Sequence, residues 1–275
     1  MVRILLAGEG GQGVQTIAKI LAKAAQKSKK YVSYIPSFGV EQRGGVSLAY
    51  IQIDNAPIGF PRFSKAEIVV VFCNRAVEAI KDYFNFGTIL IYDSSAIENK
   101  YLQKLEGIAK KAVSIPAQKI AKEKYSIKML NMLILGALTK EFKDIDINTI
   151  QEELENELKE KIAKQPEIKE KNFAALKEGA LLASNVNFEE NGFIGIESKV
   201  VTKTFEDDKK TWTRFPEYCK GCNLCIERCP VKALRFSNDV GFLGNLIPEI
   251  DLEKCIACGM CERTCPDGAI RIDKK

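Results

Sequence analysis

The chain has 275 residues, of which 46% are hydrophobic, and a formal net charge of +5. This length and composition suit one large globular domain or two smaller ones. Lysines and glutamates are interleaved along the chain and no apolar run is long enough to span a bilayer, so neither a nucleic-acid partner nor a membrane partner is expected. The start, MVRILLAGEGG, has too short an apolar run for a secretory signal, and a cytoplasmic location is therefore predicted.

The first predicted elements are a buried strand over Val2–Ala7, a glycine-rich turn and a helix over about Val14–Lys29. The turn, GEGGQG, satisfies the G-x-G-x-x-G pattern whose backbone amides can hold a phosphate. A dinucleotide site also needs an acidic residue at the end of the second strand, and Tyr31–Pro36 carries none, which disfavours NAD. Two roles stay open for the glycines: close packing of strand and helix, or binding of another phosphate-bearing ligand.

A glycine-flanked polar loop, SFGVEQRGG at residues 37–45, follows the second strand and precedes a strand over Val46–Ile53. Its Glu41 and Arg43 suit an ordinary surface ion pair. Loops beyond the carboxyl ends of parallel strands converge on one crevice, so the loop is also placed to lie beside the glycine-rich turn.

Further strands are predicted over Glu67–Phe72, Thr88–Asp93 and Lys111–Ile115, with helices between them over Ala76–Tyr83 and Ala96–Leu105. This alternation predicts an α/β fold with a doubly wound, mostly parallel sheet. Cys73 ends one of the strands. Because the chain contains no histidine to activate a nucleophile, we interpret Cys73 as a buried or half-buried structural thiol, and no catalytic residue is predicted.

Residues 117–184 have the apolar stripes of amphipathic helices. Beyond them the sequence becomes polar and charged, with Phe205–Lys210 read as part of a linker. We therefore predict a first domain over residues 1–185, a linker over 186–211 and a second, small α+β domain over 212–275.

The second domain contains eight of the nine cysteines, in the runs CKGCNLCIERCP and CIACGMCERTCP. Each run has the Cys-x2-Cys-x2-Cys-x3-Cys-Pro spacing of a bacterial-type ferredoxin with two [4Fe-4S] clusters, in which the fourth cysteine typically binds the other cluster. The metal ligands of one cluster are then predicted to be Cys219, Cys222, Cys225 and Cys265. Those of the other are predicted to be Cys255, Cys258, Cys261 and Cys229.

Two other uses of these cysteines are weaker. Structural zinc needs two Cys-x2-Cys pairs per ion and gives no role to the cysteine before each proline. A disulfide scaffold does not suit a chain whose cysteines are confined to one end and that starts without a leader.

Gly221 and Gly259 are expected where the backbone approaches a cluster closely. Seven apolar residues are expected either to shield the clusters or to pack the core: Val231, Ala233, Leu234, Ile256, Ala257, Ala269 and Ile270.

The segments GEGGQGVQTIAKILAKAA, SFGVEQRGG and NMLILGAL together resemble the gamma subunit of the 2-oxoacid:ferredoxin oxidoreductases, over roughly residues 1–185. From Trp212 onward the chain resembles the delta subunit of the same enzymes, which is a two-cluster ferredoxin. The chain therefore looks like a gamma–delta fusion.

The resemblance implies a complex that decarboxylates a 2-oxoacid on thiamine diphosphate and Mg, transfers the acyl group to coenzyme A and passes electrons to soluble ferredoxin. The chain has no Gly-Asp-Gly thiamine signature, so thiamine diphosphate, Mg and most coenzyme A contacts are expected on separate alpha and beta subunits. The second domain is similar to delta modules of 2-oxoglutarate-type enzymes, which favours 2-oxoglutarate and leaves pyruvate, branched-chain 2-oxoacids and oxalate open. The alternatives are a stand-alone electron carrier with a docking domain and a subunit of another ferredoxin-linked oxidoreductase.

Overall fold

A computed structural model of the chain describes residues 1–38, 45–85, 87–106, 109–186 and 201–275. Contacts divide the chain into two compact units: Met1–Ala56 with Ala66–Ile196, and Pro57–Lys65 with Glu197–Lys275. None of the helices in these described ranges combines the length and the apolar character needed to cross a membrane.

The first unit is built on a seven-stranded sheet. Its strands are β1 Val2–Glu9, β2 Tyr31–Phe38, β3 Val46–Asp54, β4 Ile68–Val71, β5 Ile89–Asp93, β6 Lys111–Ile115 and β7 Ser184–Val186. Their spatial order is β2-β3-β1-β4-β5-β6-β7. Strands β1, β4, β5 and β6 are paired in parallel, whereas β3 is antiparallel to both of its neighbours and β7 is antiparallel to β6. The predicted α/β class with a mostly parallel sheet is confirmed.

The helices of the first unit follow the predicted alternation. They are α1 Val14–Lys27, α2 Asn74–Ile80, α3 Asn99–Glu106, α4 Ala117–Lys124, α5 Leu130–Glu141, α6 Ile147–Glu157, α7 Lys159–Lys164 and α8 Glu167–Leu182. Short 3-10 turns occupy Lys81–Tyr83 and Ile127–Met129. The main core includes residues of β1, β3 and β4 together with α1, α5 and α8, and Cys73, at the start of α2, is buried as expected.

One element at the end of the first unit was not predicted. Ser184–Val186, which begins at the last residue of the stretch read as helical, is the edge strand β7. Helices α5 and α8 approach each other closely. A Cβ at Gly136 would lie 2.0 Å from the Leu176 carbonyl oxygen, and a Cβ at Gly179 would lie 2.0 Å from that of Leu133. The two backbones are therefore in contact where these glycines face the opposite helix.

The second unit has two small sheets. Its strands are β8 Lys203–Glu206, β9 Lys210–Arg214, β10 Leu234–Val240, β11 Leu246–Ile250 and β12 Ile270–Lys274, and its helices are α9 Leu224–Glu227 and α10 Met260–Thr264. One sheet has the order β12-β9-β8 and the other is the hairpin β10-β11. The linker prediction differs from this arrangement, because β8 and the first two residues of β9 lie within residues 186–211. The strand pattern of β9 was not recognised because two of its buried positions hold charged residues. Lys210 and Arg214 are buried on the same face of β9 as Trp212.

Residues Pro57–Lys65, which join β3 to β4 in sequence, belong to the second unit. The Ser64 backbone N–H donates to the Pro266 carbonyl oxygen at 2.7 Å, and the Ser64 hydroxyl donates to Asp267. A Cβ at Gly59 would lie 2.4 Å from Thr264 Oγ1. This segment therefore packs against the residues on both sides of Cys265.

Candidate metal centres

The two cysteine runs fold into loops with the same backbone conformation. In the first loop Gly221 and Asn223 have φ of 71° and 67°, and in the second the equivalent Ala257 and Gly259 have φ of 52° and 72°. Such values are accessible to glycine at little cost and are strained for alanine. A short helix starts directly after each loop, α9 in the first case and α10 in the second. The predicted role of Gly221 and Gly259 inside tight loops is thus consistent with their backbone angles.

The fourth cysteine of the second run lies with the cysteines of the first run. Cys219, Cys225 and Cys265 are all buried, and Cys219 and Cys265 share one apolar cluster with Ile247 and Ala269. Burial raises the pKa of the Cys219 thiol to about 11, and the nearby Cys265 and Cys222 add to the rise. Burial also raises the pKa of the Cys225 thiol, and the nearby Cys265, Cys261 and Cys219 add to the rise. The packing of Cys265 against Cys219 places the last cysteine of the second run beside the first cysteine of the first run.

The other four cysteines line one small cavity. Cys229, the last cysteine of the first run, lies there with Cys255, Cys258 and Cys261. The rest of the lining is largely apolar and consists of Pro230, Val231, Ala233, Leu234, Ile250, Ile256, Gly259, Met260 and Ile272. Four of the residues predicted to shield a cluster therefore lie on this wall, while Ala269 packs with Cys219 and Cys265 and Ile270 with Cys225.

Backbone N–H groups are directed at three of the sulfurs. Ala233 N–H donates to Cys229 Sγ at 3.2 Å, Ala257 N–H to Cys255 Sγ at 3.4 Å, and Ala269 N–H to Cys265 Sγ at 3.3 Å. The Cys229 and Cys265 bonds occupy equivalent places in the two runs, four residues after the last cysteine. Donors of this kind stabilise negative charge on sulfur.

The donor set fits iron–sulfur clusters better than free thiols. None of the eight cysteines forms a disulfide, and burial of Cys219, Cys225 and Cys265 in apolar surroundings disfavours their thiolate form unless a positive centre is bound. Iron supplies that charge and deprotonates its thiol ligands. Among the described residues no three candidate ligand groups converge tightly enough to hold a single ion. A cubane does not require such convergence, because each of its four cysteines binds a different iron.

The β10-β11 hairpin is attached to the first ligand loop. Phe242 N–H donates to the Cys219 carbonyl oxygen at 3.2 Å, and Asn245 Nδ2 donates to the Lys220 carbonyl oxygen at 3.1 Å. A Cβ at Gly241 would lie 1.8 Å from the same Cys219 carbonyl oxygen. Glycine is needed at this position because two backbones meet there.

We expect Gly241→Ala to weaken iron binding at the first set of cysteines, since the added methyl must push the hairpin and the Cys219 loop apart. The expected result is a faster loss of iron from the reconstituted chain on exposure to a chelator. Gly244→Ala in the same turn is the matched control, because its Cβ would meet no atom within 4 Å and would add only the strain of a φ of 75°. Equal rates of iron loss in the two variants would contradict this role of Gly241.

Sequence reasoning did not identify Trp212 as a functional residue. It is the single tryptophan of the chain, lies at the centre of β9, is fully buried and packs with Cys225, Cys229 and Cys261. Burial raises the pKa of the Cys261 thiol to about 12, and the Trp212 indole N–H acts in the opposite direction. The sequence feature that could have identified Trp212 is its position as a lone aromatic residue in KTWTR, a stretch in which threonines alternate with larger side chains.

In the first unit, the glycine-rich turn borders a cavity of about 720 Å³. Gly13 has a φ of 82°, and a Cβ there would lie 2.4 Å from Asn131 Nδ2. Asn131 is buried, its Oδ1 has no hydrogen-bond partner within the described ranges, and it lines the cavity together with Lys128 and Lys161. The structure thus requires the glycine for packing and also leaves space beside it for a ligand.

The dinucleotide interpretation receives no support from the strand order. Antiparallel β3 separates β1 from β2, so these strands do not form the adjacent parallel pair that opens a dinucleotide-binding fold. Of the predicted polar loop, residues 39–44, including Glu41 and Arg43, lie outside the described residues. Its described end is next to the turn, since Gly10 N–H donates to the Gly45 carbonyl oxygen at 2.9 Å.

Comparison with known proteins identifies both parts of the chain. The family described as pyruvate ferredoxin/flavodoxin oxidoreductase matches residues 3–182, and the family described as 4Fe-4S dicluster domain matches residues 218–269. The chain belongs to the 2-oxoacid:ferredoxin oxidoreductase gamma-subunit family. It carries a 4Fe-4S dicluster domain after the gamma-type domain, as the motifs predicted.

Among curated relatives of this gamma-type domain is the pyruvate/ketoisovalerate oxidoreductases common subunit gamma of Pyrococcus furiosus. It is 33% identical over 181 residues, which are 65% of this chain and 95% of the relative. The 2-oxoglutarate synthase subunit KorC of Methanothermobacter marburgensis is 31% identical over 179 residues, which are 64% of this chain and 93% of that subunit. The substrates named for these relatives differ.

Solved structures share the fold of the gamma-type domain. Pyruvate oxidoreductase subunit PORC of Thermotoga maritima has a TM-score of 0.54 and 23% sequence identity. The match covers 68% of this chain and 98% of the PORC chain. The 2-oxoglutarate:ferredoxin oxidoreductase of Magnetococcus marinus, solved with 2-oxoglutarate, coenzyme A and succinyl-CoA, has a TM-score of 0.58 and 22% identity. The match covers 74% of this chain and 35% of the Magnetococcus marinus chain.

Proposed function

We propose that this chain is the electron-transferring gamma–delta subunit of a thiamine-dependent 2-oxoacid:ferredoxin oxidoreductase. The observation that carries the proposal is that the last cysteine of each run lies with cysteines of the other run: Cys265 packs with Cys219, and Cys229 lines one cavity with Cys255, Cys258 and Cys261. This is the arrangement expected of a two-cluster ferredoxin. When bound, the two [4Fe-4S] clusters would supply one-electron carriers between the two-electron oxidation of the 2-oxoacid and soluble ferredoxin.

The chain's own residues would hold the clusters and control their surroundings. Each set of four cysteines would supply the thiolates, and the Ala233, Ala257 and Ala269 N–H groups would stabilise negative charge on them. The apolar residues around Cys229 and Cys255 limit the access of water. Burial of this kind, together with hydrogen bonds to sulfur, tunes the reduction potential of a cluster.

The carbon chemistry belongs to other chains in this proposal. We place thiamine diphosphate, Mg and most of the coenzyme A contacts on alpha and beta subunits, because this chain lacks the thiamine signature. We place the chain in a reducing cytoplasm, since none of its nine cysteines forms a disulfide. We favour 2-oxoglutarate as substrate from the similarity of the dicluster segment, with pyruvate, branched-chain 2-oxoacids and oxalate as the competing substrates.

Purification of the native complex tests this function. We expect thiamine-binding chains to co-elute and the complex to reduce ferredoxin with one 2-oxoacid of a panel of 2-oxoglutarate, pyruvate, 2-oxoisovalerate and oxalate. Omission of coenzyme A should abolish the reaction with the first three substrates, because the acyl group then has no acceptor. Elution of the chain without any thiamine-binding partner would instead favour the stand-alone electron carrier.

A further inference from the structure

The β10-β11 hairpin of the second unit exposes an apolar surface at its end. Val240 lies directly opposite Leu246 in the register of the two strands, and two more large apolar side chains lie in the turn that joins them. The exposed fraction of each side chain is between 44% and 61%. We call this region the hairpin surface, and it consists of Phe236, Val240, Phe242, Leu243 and Leu246.

Every charged side chain of the hairpin is ion-paired within the described part of the second unit. Arg235 Nε lies 2.8 Å from Glu249 Oε1. Asp239 Oδ2 lies 2.6 Å from Lys203 Nζ and 2.5 Å from Arg214 Nη2. Because these charges are neutralised by neighbours, the hairpin surface offers a partner apolar contact and not an ionic one.

The area of the hairpin surface suits a partner that stays bound. A large apolar side chain has on the order of 150–200 Å² of accessible surface, so five that are about half exposed present roughly 400–500 Å². A stable interface buries about 800 Å² per partner and has an apolar core, whereas weak electron-transfer encounters bury less than about 600 Å² per partner. The hairpin surface therefore has the size and composition of the core of a stable interface.

The hairpin surface adjoins an exposed cysteine of the first ligand loop. Cys222 is exposed, and a Cβ at its neighbour Gly221 would lie 2.6 Å from the Leu246 carbonyl oxygen. Phe242 N–H donates to the Cys219 carbonyl oxygen at 3.2 Å. A protein bound to the hairpin surface therefore lies directly beside Cys222.

The exposed cysteine of the second ligand loop has charged surroundings instead. Arg263 Nη2 donates to the carbonyl oxygen of Cys258 at 2.7 Å, and a Cβ at Gly259 would lie 2.7 Å from Arg263 Nη1. Charged groups at the edge of a contact speed the association of a partner that binds and leaves, and apolar groups hold a partner that stays. The surroundings of Cys222 and Cys258 thus differ in the way that a permanent subunit and a soluble acceptor differ.

We propose that the hairpin surface is the docking site of the permanently bound thiamine-binding chain, and that electrons enter this chain through the cysteine set that contains Cys222. This inference rests on the proposed function, which supplies the thiamine-binding chain. Oxidation of one 2-oxoacid on that chain releases two electrons. They pass one at a time through the set of Cys222 to the set of Cys258, and each then reduces one soluble ferredoxin by one electron.

Photo-cross-linking of the native complex tests the docking site. Benzoylphenylalanine is incorporated at position 242 or 243 of the full chain, the complex is irradiated, and the cross-linked peptide is identified by mass spectrometry. We expect that peptide to belong to a thiamine-binding chain. A cross-link to ferredoxin, to a second copy of this chain or to another part of the same chain would overturn the assignment.

The double variant Phe242→Asp/Leu243→Asp tests the same site by affinity. We expect retention of the thiamine-binding chain to weaken by about tenfold or more, because the two carboxylates would have to be buried at the centre of the interface. The iron content should stay at about eight per chain. Val201→Asp is the matched control, since Val201 and Phe242 are each 57% exposed, and it should co-elute as the unsubstituted chain does.

The order of electron flow is measured by freeze-quenched electron paramagnetic resonance of complexes given a 2-oxoacid without ferredoxin. The cluster that remains in Cys258→Ser should be reduced at the unsubstituted rate, and the one that remains in Cys222→Ser at least about tenfold more slowly. Equal rates, or faster reduction in Cys222→Ser, would overturn the order.

Failure of the docking site is distinguishable from failure of the proposed function. If a thiamine-binding chain co-elutes equally with the unsubstituted chain and with Phe242→Asp/Leu243→Asp, the docking site alone is wrong. If such a chain does not co-elute even with the unsubstituted chain, the proposed function is wrong.

Discussion

The double variant Cys229→Ser/Cys258→Ser is expected to keep one cluster, with about four irons per chain, just as either single variant does. The reason is that both cysteines line the same cavity, so the second substitution removes a ligand from a cluster that is already lost. Cys229→Ser/Cys222→Ser should by contrast lose both clusters, because Cys222 lies with Cys219 in the other set. Iron and acid-labile sulfide analysis after anaerobic reconstitution measures the difference.

Cys73→Ser is the matched control for these variants. Cys73 is the ninth cysteine and is buried in the first unit, so its substitution should leave about eight irons bound. If the four cysteines of each run bound the same cluster, the outcomes of the two double variants would be exchanged. The experiment therefore tests which cysteines bind the same cluster.

Gly136→Ala is expected to produce the largest loss of stability in the first unit. The new methyl group would meet the Leu176 carbonyl at 2.0 Å and the Ala180 nitrogen at 2.8 Å, and both belong to the backbone of α8. Overpacking of this kind lowers the free energy of unfolding by up to about 3 kcal/mol. This loss exceeds the stabilisation of about 1 kcal/mol that comes from replacing glycine by alanine in a helix. A net loss of about 2 kcal/mol lowers the unfolding midpoint of a domain of this size by about 4–8 °C.

Calorimetry of the full chain measures this effect. Gly179→Ala should act in the same way, since its methyl group would lie 2.0 Å from the Leu133 carbonyl oxygen. Leu181→Ala is the control on α8, because that side chain is 81% exposed and its loss should change the midpoint little. A midpoint raised by Gly136→Ala would show that the helices can separate at little cost and that helix propensity decides.

The elements with simple periodicity could be predicted from the sequence. The buried strands β1 and β6 are short apolar or alternating runs, and α1 has apolar residues at helical spacing, so their predicted and observed limits agree within two residues. The cysteine spacing likewise predicts which sulfurs bind the same cluster, because the fourth cysteine of such a run typically binds the other cluster, and this assignment stays a prediction. These features depend on local sequence.

The features that were missed depend on residues far apart in the chain. Strand β7 is short and exists through its pairing with β6, and β9 buries Arg214 together with Lys210, which was read as a linker residue. Arg214 is stabilised by Asp239, with its Nη2 2.5 Å from Oδ2, and donates to Ser237 Oγ at 3.1 Å. The local sequence does not predict that an arginine is buried when its hydrogen-bond partners belong to β10. The closeness of Trp212 to Cys261 is hidden for the same reason.

The assignment of Pro57–Lys65 to the second unit changes how the chain can be divided experimentally. The fold of the dicluster part is discontinuous in sequence, so cutting the gene before residue 197 would separate Ser64 from Pro266 and Asp267, the two residues after the last ligand, to which it is hydrogen-bonded. An isolated carboxyl-terminal fragment would thus lack a piece of its own structure. The dicluster part is therefore not a detachable carboxyl-terminal ferredoxin, because one of its segments comes from the amino-terminal half of the chain.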